Sequence, residues 1–128
     1  MGDSVKKKTT LAALKRKCDK VFSEHIRQMD ADRYGETACI TCGIRRHWRE
    51  LQCGHFISRV YLSTRYSLEN CHVQCGACNV LRRGNMAEYA SYIQRAYGYG
   101  VIESLLAEKR KTVRFSRADY ERMIGEFS

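Results

Sequence analysis

Four cysteines fall in two matched pairs, Cys39-Ile40-Thr41-Cys42 and Cys75-Gly76-Ala77-Cys78. Two residues between the sulfurs of a pair let both turn toward one ion, and two such pairs fill the four positions of tetrahedral zinc. The spacing predicts one zinc with no open position, a structural metal, with Gly43 and Gly76 supplying the tight turns. The 32 residues between Cys42 and Cys75 are too many for a simple ribbon loop, so the zinc must clamp the base of something larger. Inside the clamp stand Gly54-His55 and then Asn70, and Asn79 directly follows Cys78. Histidine exchanges a proton near neutral pH, but a lone histidine is more often structural. The setting singles out His55: a strand-like Trp48 to Gln52 delivers it, and Asn79 sits where the second knuckle opens a helix.

The elements that must hold these residues are legible around them. Leu11, Leu14, Cys18, Val21, Phe22, His25, Ile26 and Met29 recur at three- and four-residue steps, the mark of one helix face. Thr9 or Thr10 is placed to cap that helix, and Gly35 lies just past its end. Lys6 to Lys8, Lys15 to Lys17 and Lys20 decorate its start and outer face. His47 to Gln52 and Asn70 to Gln74 read as short strands. Met86, Tyr89, Ile93, Ala96 and Tyr97 share a second helix face, closed by Gly98 and Gly100. Val101 to Lys109 reads as another helix. Ser116 with Asp119 resembles a capping box opening a last helix through Ile124. Cys18, Cys53 and Cys71 read as packing residues.

Composition narrows the class. With 128 residues the chain is one domain: a basic N-terminal helix (1–36), a zinc-clamped core (37–97) and a C-terminal helical extension (98–128). There is no proline and no apolar run long enough to span a bilayer, and Met1 to Lys8 is polar and lysine-rich, unlike a secretory signal. A reducing cytoplasm is the expected setting, where paired cysteines mean metal rather than disulfides. The formal charge of +9 falls to about +7 once four thiolates and a zinc are counted, which favours nucleic acid. From Thr37 to Ala87 there are seven arginines, no lysine, and only Glu50 and Glu69 as carboxylates. Arginine's planar fork suits phosphate, and Arg59, Arg65, Arg82 and Arg83 are the candidate phosphate clamps. Tyr61, Tyr66, Tyr89, Tyr92 and Tyr97 read as core or groove walls.

The segment with His55, Asn70 and Asn79 resembles the HNH, or ββα-metal, nuclease motif. Cys39-x-x-Cys42, Gly54-His55-Phe56, Arg65-Tyr66, Asn70, Gln74-Cys75-x-x-Cys78-Asn79, Gly84-Asn85 and Glu88-Tyr89 resemble more closely the NinG/Rap family of lambdoid-phage recombination endonucleases. The likeness runs from near Leu11 to about Phe127, and the second knuckle with Asn79 and Gly84 is also similar to the phage resolvase endonuclease VII. The resemblance implies an α+β fold, a zinc-stapled ββα-metal (His-Me finger) core flanked by N- and C-terminal helices. It implies a metal-dependent endodeoxyribonuclease acting on branched DNA, such as Holliday junctions or D-loops, in the host cytoplasm. Longer members of the family carry a basic, cysteine-containing N-terminal region that this chain lacks.

Phosphodiester hydrolysis needs a group that activates water and positive charge on the leaving oxygen. His55 is assigned as general base and Asn79 as a ligand of catalytic Mg2+ or Mn2+. By resemblance, Asn70 fixes the loop carrying His55. Many HNH enzymes place an acidic metal ligand just before the histidine, where this chain has Gly54. The expectation is one hydrated metal held by few protein ligands and by the phosphate itself. Asn85 or His72 could add a metal ligand, but the preferred role of each is structural, His72 in the strand and Asn85 in the turn after Gly84. Paired cuts at a junction argue for a homodimer. Two other readings stand beside this one: a non-catalytic zinc DNA-binding module with a structural His55, and an HNH nuclease of homing or restriction type.

Overall fold

The hydroxyl of Thr10 accepts a hydrogen bond from the Ala13 amide at 3.1 Å, satisfying one of the orphan donors at a helix start. From that cap α1 runs Leu11–Gln28 in the computed structural model, which describes residues 9–128. Lys6 to Lys8 lie outside the described residues; Lys17 and Lys20 are exposed on the outer face, as the periodicity implies. Leu14, Cys18, Phe22 and Ile26 form the buried stripe, while Leu11 and Met29 at its ends are half exposed. The helix stops well before Gly35. Asp32 organises the turn between them, its Oδ1 accepting from the amides of Tyr34 at 2.9 Å and Glu36 at 3.0 Å.

Two small antiparallel hairpins follow. In the first, β1 (Glu36–Ala38) pairs with β2 (Arg45–His47), and the first cysteine pair occupies the tip between them. Gly43 closes that tip at φ +81°, a left-handed conformation that side chains disfavour. In the second, β3 (Gln52–His55) pairs with β4 (Cys71–Gln74), placing Gly54 opposite His72 and His55 opposite Cys71. The strand expected over His47 to Gln52 is displaced. Trp48–Glu50 is a 3-10 turn instead, and His55 is carried on β3 itself. The reason is local: His47 Nδ1 accepts from the Arg49 amide at 3.2 Å, and Arg27 donates to the carbonyls of Trp48 and Leu51 at 3.3 and 3.5 Å. These side-chain bonds favour a turn over a strand.

All four residues of β4 are buried, because it is covered on both faces. Cys71 packs with Phe22 and Ile26 of α1, whereas His72 and Gln74 reach the other way, to Tyr89 and Gly84. The short helix α2 (Leu62–Arg65) lies in the connection between β3 and β4. After β4 the second cysteine pair leads into a single wide turn, Ala77–Leu81, closed by the Arg82 amide on the Ala77 carbonyl at 2.9 Å. Gly76 adopts φ −60°, which any residue accepts, and the chain turns there helically, with the Asn79 amide on the Cys75 carbonyl at 2.9 Å, so the turn does not need glycine's conformational freedom.

The chain then enters α3 (Met86–Tyr97) and α4 (Gly100–Lys109), which bury Tyr89, Ile93 and Leu105 against Ile57. The capping box opens α5 (Arg117–Phe127): Asp119 N–H donates to Ser116 Oγ at 3.2 Å, and Ser116 N–H to Asp119 Oδ2 at 2.8 Å. This last helix packs back on α1, with Tyr120 and Met123 against Leu14 and Cys18. Phe22 meets Phe127 and Tyr66 edge-on, at ring separations of 4.9 and 5.5 Å. The fold is therefore α+β, with the β3–β4 pair held between α1 and α3. Among the described residues no helix is long and apolar enough to cross a membrane.

Candidate metal centre and active site

The tip of the first hairpin and the turn after β4 bring Cys39, Cys42, Cys75 and Cys78 together, all four sulfurs within 4.8 Å of one another. Cys42 Sγ and Cys75 Sγ are 3.6 Å apart. Tetrahedral zinc with Zn–S bonds of about 2.3 Å requires sulfur separations of roughly 3.8 Å, so the set fits a zinc ion. Burial raises the Cys39 thiol, but the Thr41 hydroxyl and neighbouring amides bring it down to about 6. The Ile44 amide favours a Cys42 thiolate, yet burial and hydrogen bonds shared with Cys75, Cys39 and Cys78 push that thiol up to about 12. A dication resolves the conflict, since it stabilises every thiolate at once. Donors already surround the sulfurs: Thr41 hydroxyl on Cys39 at 3.2 Å, the Cys78 amide on Cys75 at 3.4 Å, and Arg82 and Asn85 on Cys78 at 3.5 and 3.7 Å.

His55 and Asn79 line one cleft of about 410 Å³ with Asp19, Gln52, Cys53, Arg27, Arg59 and Arg65. His55 Nε2 lies 2.9 Å from the Arg65 carbonyl oxygen. A carbonyl only accepts, so Nε2 carries the proton and the neutral ring keeps its lone pair on Nδ1. Burial holds this imidazole below its ordinary pKa, partly opposed by the Arg65 carbonyl. Asn79 Nδ2 donates to Gln52 Oε1 at 2.8 Å, which commits the nitrogen and leaves the carboxamide oxygen as the ligand atom.

Asn70 is fully buried and ties down the chain just after His55. Its Oδ1 accepts from the Ile57 amide at 2.7 Å, and its Nδ2 donates to the carbonyls of Ile57 and Thr64 at 3.0 and 3.1 Å. Gly54 is required by packing. A Cβ there would lie 1.9 Å from Gln74 Oε1. Gln74 cannot swing away, because its Nε2 is bonded to the Gly84 carbonyl at 2.9 Å and to Thr41 at 3.1 Å. The residue before His55 is therefore excluded from carrying a carboxylate.

Arg65, a phosphate clamp on sequence grounds, is corrected by its surroundings. It is 7 % exposed; Nε and Nη2 grip Asp19 at 2.9 and 2.7 Å, and Nη1 donates to the Arg59 carbonyl at 2.8 Å. Three of its five N–H groups are taken by these partners and the side chain is buried, so Arg65 is turned toward α1, and its work is to fix α1 against α2. Asp19 also accepts from Tyr66 Oη at 2.7 Å; burial alone would raise its pKa, but the Arg65 and Tyr66 bonds outweigh it and lower the value. Arg59 is exposed and lines the cleft. Arg82 and Arg83 are exposed in the turn after Asn79, outside the cleft lining, and Arg82 is turned to Cys78.

His72 is a core residue, its Nδ1 and Nε2 on the hydroxyls of Tyr89 and Tyr97 at 3.0 and 2.7 Å, and burial lowers its pKa to about 4. Asn85 sits at φ +50° in the turn after Gly84. Three cleft residues carried no sequence signal. Asp19 and Arg27 are half-buried polar residues flanking the apolar stripe of α1, and Gln52 begins β3 rather than ending a strand. Asp19 is the one carboxylate among the described residues that line the cleft, and Arg65 neutralises it. The cleft's charge is thus left to Arg27 and Arg59, and is positive.

The family described as bacteriophage lambda NinG protein matches residues 3–128, nearly the whole chain, and the chain belongs to that family. No curated protein and no solved structure matches it.

Proposed function

We propose that this NinG-family chain is a metal-dependent DNA endonuclease of the HNH type, hydrolysing phosphodiester bonds in branched recombination intermediates such as Holliday junctions and D-loops. The observation that carries the reading is the 2.9 Å contact of His55 Nε2 with the Arg65 carbonyl in a positively charged cleft shared with Asn79; it favours the Nε2–H tautomer, which leaves Nδ1 as the base. The order β3, β4, helical turn supports a ββα-metal core, with His55 ending β3, Asn70 preceding β4 and Asn79 in the turn.

In this account His55 Nδ1 takes a proton from water as the oxygen forms its bond to phosphorus and the bond to the leaving oxygen breaks. Asn79 would hold Mg2+ or Mn2+, which when bound supplies positive charge to the phosphorane and leaving oxygen. Arg59 holds a flanking phosphate, Arg27 adds positive charge to the cleft wall, and Asn70 keeps the loop after His55 in register. With Asp19 committed to Arg65, the chain offers such a metal few ligands, so the substrate phosphate would have to supply others and metal affinity would be low without DNA. Cys39, Cys42, Cys75 and Cys78 would hold a zinc ion that fastens the turn bearing Asn79 to the first hairpin. Paired cuts at a junction require two copies, and a homodimer in a bacterial cytoplasm is part of the proposal.

Cleavage of a four-way junction, a D-loop, a flap and a linear duplex in Mg2+ or Mn2+ tests it. Preferred cutting of the branched substrates is expected. Equal cutting of all four would make it a non-specific nuclease, and binding without cutting would make it a zinc DNA-binding module.

A further inference from the structure

Two thiols beside His55 have no part in the chemistry above. Cys53 stands two residues before His55 on β3, and Cys71 faces His55 across the β3–β4 register. Strand alternation puts all three on the face toward α1. One ligand atom from each lies within 4.8 Å of the other two. Cys71 Sγ and His55 Nε2 converge on a single acceptor, the Arg65 carbonyl oxygen, at 3.4 and 2.9 Å. Cys71 is buried behind the cleft lining, whereas Cys53 is half-buried and lines the open cleft with His55. Zinc bonds of about 2.3 Å to sulfur and 2.0–2.1 Å to nitrogen need ligand separations of roughly 3.4–3.8 Å, a small contraction of this cluster. Two thiolates and an imidazole suit Zn2+, Co2+ or Cd2+ and are poor ligands for Mg2+.

We propose that Cys53, His55 and Cys71 form a second metal site, for a soft divalent cation such as zinc, with three protein ligands and a fourth position open to the cleft. It is distinct from the closed four-cysteine cluster and weaker, having one thiolate pair instead of two. Its consequence rests on the nuclease reading: a metal here and a working base exclude each other. On Nδ1 the metal occupies the basic lone pair. On Nε2 it displaces the Arg65 carbonyl and moves the ring proton to Nδ1. Excess zinc then inhibits cleavage by competing for His55, not for the Mg2+ position.

The test adds Co2+ to zinc-loaded, reduced full-length protein without DNA and follows thiolate-to-cobalt charge-transfer absorption. A second equivalent with that band is expected, absent in Cys53→Ala and weakened in His55→Gln, while both variants retain the first zinc and a cooperative unfolding transition. No band in the wild type, or an unchanged band in both variants, overturns the site. If the band is present but no DNA is cut in Mg2+, the nuclease reading fails and the site stands. Cutting without the band leaves the nuclease reading and removes the site. Where both hold, Cys53→Ala should cut at zinc concentrations that stop the wild type; equal sensitivity overturns the inhibitory role.

Discussion

His55 Nε2 lies 2.9 Å from the carbonyl oxygen of Arg65, whose side chain is itself locked onto Asp19 of α1. A residue expected to grip DNA instead presents its backbone to the imidazole and its guanidinium to a helix. Three elements therefore share in fixing one proton: β3 carries the ring, α2 the acceptor, and α1 the carboxylate that holds α2 in place.

The pH dependence of cutting follows from this arrangement. Burial disfavours the imidazolium, so His55 stays neutral below the ordinary imidazole range. A base works deprotonated, hence activity is present above the folded pKa and lost as pH falls through it. The kcat/KM profile in Mg2+ should show its acid limb below about 6.5. An inflection above that value would contradict the burial argument.

Asp19 and Arg59 should separate stability from binding. Removing the Asp19 carboxylate leaves the Arg65 charge buried and unpaired, a loss of about 3 kcal/mol. Asp19→Ala should therefore lower the urea midpoint strongly. Because its folded pKa is depressed, the Asp19 contribution is present above the ordinary carboxylate value and lost as pH falls through the folded one. Arg59 has 62 % of its side chain exposed, and its pairing with Asp19 adds little. Arg59→Ala should leave the urea midpoint nearly unchanged while weakening DNA binding and reducing its salt dependence. The reverse pattern would show the roles misassigned.

Gly54→Ala should destabilise the fold by about 1–3 kcal/mol, the usual cost of overpacking, because the new methyl meets Gln74 Oε1. Gln74→Ala removes that obstacle, so the double variant should be less unstable than the sum of the two single changes. Thermal unfolding of the four proteins measures the coupling. Strict additivity would place the constraint on Gly54 elsewhere.

One zinc per chain should survive mild chelation, and stripping it under denaturing chelation should release the turn that carries Asn79. Metal analysis with amide exchange over Ala77–Leu81 checks both. Protection in that turn unchanged after zinc removal would show that the cluster does not hold Asn79.

The helices were readable because each repeats one physical signal: the Leu14, Cys18, Phe22, Ile26 stripe and the Ser116–Asp119 cap are local and periodic. The four cysteines were readable because their spacing is a ligand geometry. The β3 boundary was not, since Trp48 and Arg49 have strand-like composition and the bonds that bend them come from His47 and from Arg27, distant in sequence. The same holds for Arg65. Its type suits phosphate, and only the arrival of α1 in space reveals Asp19 as its partner. The need for Gly54 comes from Gln74, twenty residues on, which fills the space beside it.

His55→Ala on a four-way junction in Mg2+, with zinc content and junction affinity measured on the same preparation, separates a catalytic histidine from a structural one. Cutting should fall by about 10²- to 10⁴-fold, the range expected for loss of a general base, with zinc and affinity unchanged. Cleavage at the wild-type rate would remove His55 as the base and leave the cleft a binding surface.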